Sequence, residues 1–176
     1  MKRIITALLV AFASVSCSAQ IVFPIDSTTH KVTFSEIVQV DSISKPEIFT
    51  KVNEWIALNF VSTKDVVQFS DKENGKIILK GIIHAFCGKR HEEFGGWKFV
   101  LTIDIKDNKY RYVFTDFYHE RPPTQEGGSV ENLKPACGGL HMFQSAWTTS
   151  KYFLFTDVTA LISSMKKYVS EKNSKW

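Results

Sequence analysis

The chain has 176 residues, a formal charge of +4 and a composition that is 44% hydrophobic and 13% aromatic, with 14 Phe. That aromatic content excludes a disordered chain, and the length suits one domain able to bury a real core. The modest charge excludes the dense basic surface of a nucleic-acid binder, and no tandem repeat or low-complexity tract is present.

The first 19 residues read as an export signal. Lys2 and Arg3 precede an uncharged stretch from Ile4 to Val15, about 12 residues and shorter than the roughly 20 a spanning helix needs. Two processing routes fit the residues that follow. Cys17-Ser18-Ala19 supplies the small residues of an ordinary cleavage site before Gln20, whereas Ser14-Val15-Ser16-Cys17 is a permissive lipobox that would leave Cys17 lipidated. Loss of residues 1–19 removes Lys2 and Arg3 and no acid, so the charge falls by two, to +2. Residues 20–176 then form a single domain, periplasmic or held at the outer membrane through Cys17.

After a turn-rich lead-in to His30, Val32, Phe34, Val38 and Val40 alternate with polar residues, the period of a half-buried strand. Glu36 falls on the apolar side, as at a sheet edge where a carboxylate still reaches water. Ser44 and Glu47 make a capping-box pattern, and Ile43 and Ile48 are spaced for a hydrophobic staple. A helix is therefore expected from Ser44 to about Phe60–Ser62, with Ile48, Val52, Trp55, Ile56 and Phe60 on its apolar stripe. Next come Val66–Phe69, a turn at Asp71-Lys72-Glu73-Asn74-Gly75, and a strand over Lys76–Phe86, the Asn-Gly pair being a strong hairpin signal. A second turn leads into the clearest alternation, Trp97, Phe99, Leu101, Ile103 and Ile105, and a third into Tyr110–His119.

Residues 120–147 carry Pro122-Pro123, Gly127-Gly128, Pro135 and Gly138-Gly139, which break any helix or strand and predict a long loop. A last helix is expected from about Thr149 to Glu171, with Leu154, Val158, Leu161, Ile162, Met165 and Val169 inward. The fold class is thus α+β: a five-stranded antiparallel sheet in the order β-α-β-β-β-β-α, with two helices on one face. Trp55, Phe99, Leu101, Val158 and Ile162 belong to the expected core.

Chemistry is sparsely marked. Nucleophile, phosphate-loop and dinucleotide motifs are missing, so no catalytic residue and no cofactor is assigned. Beyond Cys17, the cysteines are Cys87 and Cys137, each followed by Gly and each with a His four residues on, His91 and His141. In an oxidising compartment such a pair suggests a disulfide; the alternatives are two unpaired thiols, or zinc held by the two Cys with the two His. His84, Cys87, His91, Glu92 and Glu93 gather acid, base and thiol, the basis of an alternative reading as a small hydrolase or a thiol- or zinc-dependent protein with Cys137 and His141. Tyr110, Tyr112, Tyr118, Phe143 and Trp147 are the aromatics that an exposed sheet face or loop could offer to a ligand.

Lys45-Pro46-Glu47-Ile48-Phe49-Thr50-Lys51-Val52-Asn53-Glu54-Trp55 and Asp71-Lys72-Glu73-Asn74-Gly75-Lys76-Ile77-Ile78-Leu79-Lys80-Gly81, with Tyr110-Arg111-Tyr112 and Asp116-Phe117, resemble a family of exported Bacteroidetes proteins of unknown function. That family has a fold like that of TATA-binding protein, and the resemblance runs from about Val32 to Tyr118. It implies a curved antiparallel sheet with two helices and carries over no catalytic residue. Sharing a topology does not carry over DNA binding, which depends on surface. The expected function is a non-enzymatic binding or structural module of the cell envelope. Its partner would be an envelope protein or glycan rather than nucleic acid, with membrane contact only through Cys17.

Overall fold

The computed structural model describes residues 21–60, 66–88, 91–121, 125–139 and 142–171. The expected signal peptide, Cys17 and His141 lie outside these residues.

The alternating segments form strands β1 (Phe34–Gln39), β2 (Val67–Asp71), β3 (Lys76–Cys87), β4 (Glu92–Lys106) and β5 (Lys109–Glu120). They pair antiparallel in the spatial order β1-β5-β4-β3-β2. A two-residue strand, β6 (Gly128–Ser129), extends the same edge of β5 beyond the end of β1, so the sheet has six strands rather than five. On the central strands every second side chain is buried: Ile77 and Leu79; Trp97, Phe99, Leu101, Ile103 and Ile105; Tyr110, Tyr112 and Phe114. A bulge at Asp116, whose φ of 57° is left-handed, inserts one residue into β5. The insertion shifts the phase of the strand, returning Phe117 and His119 to the buried face.

Helices α1 (Lys45–Asn59) and α2 (Gln144–Ser170) both cover this face. Ile48, Val52, Trp55 and Ile56 of α1 and Leu154, Val158, Ile162, Met165 and Val169 of α2 fill the layer between. Completely burying an aliphatic side chain of this kind contributes about 2 kcal/mol. The indoles in that layer find partners: Trp55 Nε1 donates to Ser164 Oγ at 3.1 Å and Trp97 Nε1 to Ser150 Oγ at 3.0 Å. Lys51, almost fully buried on α1, donates to the Glu171 carbonyl at 2.5 Å and so satisfies an acceptor at the end of α2. Glu36 lies on the helix side of edge strand β1, where it accepts from Tyr112 Oη at 2.9 Å and pairs with Lys166 of α2. The edge position inferred for this carboxylate is therefore correct, but it is tied to the helix layer.

Two details depart from expectation. α2 begins at Gln144, five residues before Thr149, because the Trp147 indole is buried against the sheet and that packing outweighs the weak propensity of the Ser/Thr run around it. The capping box does not form: Ser44 makes no side-chain cap bond. Asp107, in the β4–β5 turn, takes that role, its Oδ1 accepting the Lys45 N–H at 2.7 Å. The same turn is clamped on both sides, Asn108 N–H donating to the Ile43 carbonyl at 3.0 Å and Val40 N–H to the Asn108 carbonyl at 2.9 Å. The start of α1 is thus set by a hairpin about 60 residues away in sequence.

Asp107→Ala should therefore cost about 1 kcal/mol in urea unfolding, whereas Ser44→Ala should cost a few tenths at most. The opposite ranking would return the cap to Ser44.

Candidate functional site: the open sheet face

Residues that alternate away from the helices form a face covered by neither of them. Its rows run Lys76, Asp104, Arg111, Ile37; then Ile78, Thr102, Val113, Ser35; then Ile82, Lys98, Tyr118. Ile37, Ile82 and Tyr118 are 58%, 56% and 41% exposed, and Phe69 on β2 adds another open ring. Charges alternate with these apolar side chains across the rows. Asp104 receives Lys76 at 2.8 Å and Arg111 at 2.9 Å, which together hold its carboxyl below the ordinary range against the opposing effect of its partial burial. Lys98 pairs with Glu120 at 2.5 Å, and Tyr118 Oη donates to Glu126 at 3.0 Å.

The sequence-derived aromatic candidates divide. Tyr118 is on the open face and Phe143 is 76% exposed just before α2, but Tyr110, Tyr112 and Trp147 are buried beneath the helices. Their burial pushes both Tyr110 and Tyr112 hydroxyls far up. The Tyr110 hydroxyl is, among the described residues, a buried polar atom without a hydrogen-bond partner.

The polar cluster is only partly assembled. His84 Nδ1 lies 3.4 Å from Glu93, and both side chains are largely in solvent. His91 sits between the rings of Phe86 and Phe153, with centroids at 4.1 and 4.5 Å. Cys87 lines a cleft of about 520 Å³ with Ala146, Thr149, Tyr152 and Phe153. Burial, then the nearby Glu92, push its thiol up, the opposite of what a reactive thiolate needs. Among the described residues no hydrogen bond joins this thiol to an imidazole, and no group of three or more Cys, His, Asp or Glu is placed to hold a metal. Cys87 and Cys137 are both half-buried free thiols in the structure.

The Pro/Gly-rich segment proves to be a clasp, held by its own backbone hydrogen bonds and by side chains bonding to its backbone. Its anchor is His119, which the sequence reading treated only as the end of a strand. His119 is fully buried against Phe94, Trp97 and Trp147. Its Nε2 is 2.7 Å from the Phe94 carbonyl and its Nδ1 accepts the Gly127 N–H at 3.1 Å, which assigns the proton to Nε2. A Cβ on Gly127 would come within 2.3 Å of the Trp147 ring, so only glycine brings the backbone this close. Trp147 Nε1 donates to the Asn132 carbonyl at 3.0 Å, Lys151 Nζ to those of Val130 and Asn132, each at 3.1 Å, and Gln144 Nε2 to that of Leu133 at 2.8 Å. Glu131 Oε1 accepts the Val32 N–H at 2.7 Å, tying the lead-in to the clasp.

Residues 34–120 match the family model described as a domain of unknown function (DUF4468) with TBP-like fold. The chain belongs to the DUF4468 family. Two solved structures share the fold: a TBP-like protein from Parabacteroides distasonis, 17% identical over 83% of this chain and 98% of that one, with a TM-score of 0.59; and a DUF4468 family protein from Bacteroides ovatus, 16% identical over 86% and 94%, with a TM-score of 0.60. At these identities the likeness speaks for the fold alone. No functionally curated protein matches. The DUF4468 match spans β1 to β5 and stops where the clasp begins, so the open face lies inside the family's shared region and the clasp beyond it.

Burial, the largest cause, lowers the His119 pKa below the ordinary 6.5. The unfolded chain then binds a proton more readily than the folded one, so the stabilisation is complete above about pH 6.5 and declines as pH falls toward the folded-state value. Protonation would also turn Nδ1 into a donor facing the Gly127 donor. His119→Gln should cost about 1–3 kcal/mol at pH 7.5 and flatten the loss of thermal stability between pH 7 and pH 5. An unchanged pH slope in this variant would remove His119 from that role.

Proposed function

We propose that this DUF4468 protein is a non-catalytic binding module of the bacterial cell envelope, presenting the open face of its sheet to an envelope protein or glycan. The observation that carries the reading is the apolar band of that face, with Ile37, Ile82 and Tyr118 left to solvent by a fold whose helices both pack on the other side. Exposed isoleucines and aromatics interspersed with paired charges support the reading, because interaction surfaces mix apolar and polar groups in this way.

The residues of residues 1–19 support export, with Cys17 the site of a lipid anchor if the lipobox route is taken. Among the described residues no helix is long and apolar enough to cross a membrane, so membrane contact is assigned to that anchor. A mature charge of +2 and an exported location both argue against a nucleic-acid partner. The alternative, a small hydrolase or a thiol- or zinc-dependent protein using His84, Cys87, His91, Cys137 and His141, draws less support, because the Cys87 thiol is shifted away from reactivity and, among the described residues, no imidazole is bonded to it.

A photo-crosslinking residue in place of Ile82 on the open face should give a discrete adduct in intact envelopes, and one in place of the exposed Thr159 on α2 should not. Adducts equal at the two positions, or none at Ile82, would overturn the reading. Palmitate labelling, with a Cys17→Ala variant as control, separates the two processing routes.

A further inference from the structure

The open face ends, beside the β4–β5 turn, in a cleft of about 390 Å³ lined by Ile37, Asn74, Asp104, Lys106, Lys109 and Arg111. We propose that this cleft binds the acid group of an anionic sugar residue, held between Lys106 and Lys109 with its ring against Ile37. The inference rests on the open face being the binding surface and deepens it by naming the ligand class.

The arrangement of charge is the main argument. Lys106 and Lys109 are direct cross-strand partners at the end of the hairpin, and like charges in that position oppose folding. Among the described residues neither lysine makes an ion pair. One row further in, the Asp104 carboxylate is already shared by Lys76 and Arg111. Two further acids near the hairpin are engaged elsewhere: Asp71 accepts the Asn74 N–H and side-chain amide at 2.9 and 2.8 Å, and Asp107 caps α1. Four cations therefore surround one carboxylate whose charge two of them already share, and an incoming anion would relieve the opposition.

Shape and surroundings select the sugar. The cleft is larger than a bare carboxylate or phosphate requires. Ile37, 58% exposed, offers an apolar wall to the C–H face of a pyranose, while the Asn74 amide and the free lone pairs of Asp104 can bond hydroxyls. Because the turn at Asp107-Asn108 is clamped to Val40, Ile43 and Lys45, the two lysine backbones are already in place before any ligand arrives.

Calorimetric titration of the full chain with glucuronate, glucose 1-phosphate, glucose, acetate and inorganic phosphate tests this. At least one of the two acidic sugars should bind with a Kd below about 5 mM, at least tenfold tighter than glucose or either bare anion, and the preferred one identifies the acid group. Lys106→Glu should weaken that binding at least tenfold while raising the Tm by about 2 °C, because it converts an opposed pair into a Glu–Lys109 pair. Equal binding of glucose and the acidic sugars, equal binding of the bare anions, or wild-type affinity in Lys106→Glu would overturn the proposal. An adduct at Ile82 that persists beside such a failure leaves the binding face standing; loss of both ends both readings.

Discussion

Both amphipathic helices draw on the same face of one sheet, and the rest of the molecule follows from that. Trp97, Phe99, Leu101, Ile103 and Ile105 point toward α1 and α2, and among the described residues no third element of comparable size covers the opposite face. The layer is sealed by bonds that let indole and ammonium groups enter it without unsatisfied donors, as at Trp55, Trp97 and Lys51. The opposite face is then left with what a solvated sheet tolerates: paired charges, threonines, and a band of isoleucine, valine and tyrosine whose exposure folding does not require.

The clasp shows a second way to order backbone. A segment rich in proline and glycine offers little ladder, so several of its carbonyls and N–H groups are met by the side chains of Trp147, Lys151, Gln144 and His119, while its own Glu131 reaches out to the lead-in. Trp147 and His119 are themselves immobilised by the core, so little further side-chain entropy is lost in making their bonds. Lys151 illustrates the cost: its half-buried ammonium is pushed down by desolvation and is compensated by two carbonyls and the Trp147 ring at 5.4 Å.

Much of the fold was legible in the sequence, because strand alternation and the helix stripe are local patterns. Trp55, Phe99, Leu101, Val158 and Ile162 are all buried as expected. What escaped was set by distant partners. Nothing near Ser44 announces that Asp107 will cap α1, and the bulge at Asp116 alters the phase of β5 without a glycine to mark it. The early start of α2 depends on where Trp147 packs. His119 looked like the end of a strand, and a sequence alone does not say that its ring will face Gly127. The open face was legible only as a remainder, once it was known that both helices lie on one side; the pairing of Lys106 with Lys109 could have been read from the two-residue turn between them.

The central claim is that the open face is dispensable for folding. The direct measurement is the urea unfolding free energy of the triple variant Ile37→Thr, Phe69→Thr, Ile82→Thr, which keeps strand-compatible side chains and removes most of the exposed apolar band. The account predicts a loss of no more than about 1 kcal/mol for all three together, against about 2–5 kcal/mol for Leu101→Ala on the buried face. A triple variant as destabilised as Leu101→Ala would show that the face is part of the packing that holds the protein together.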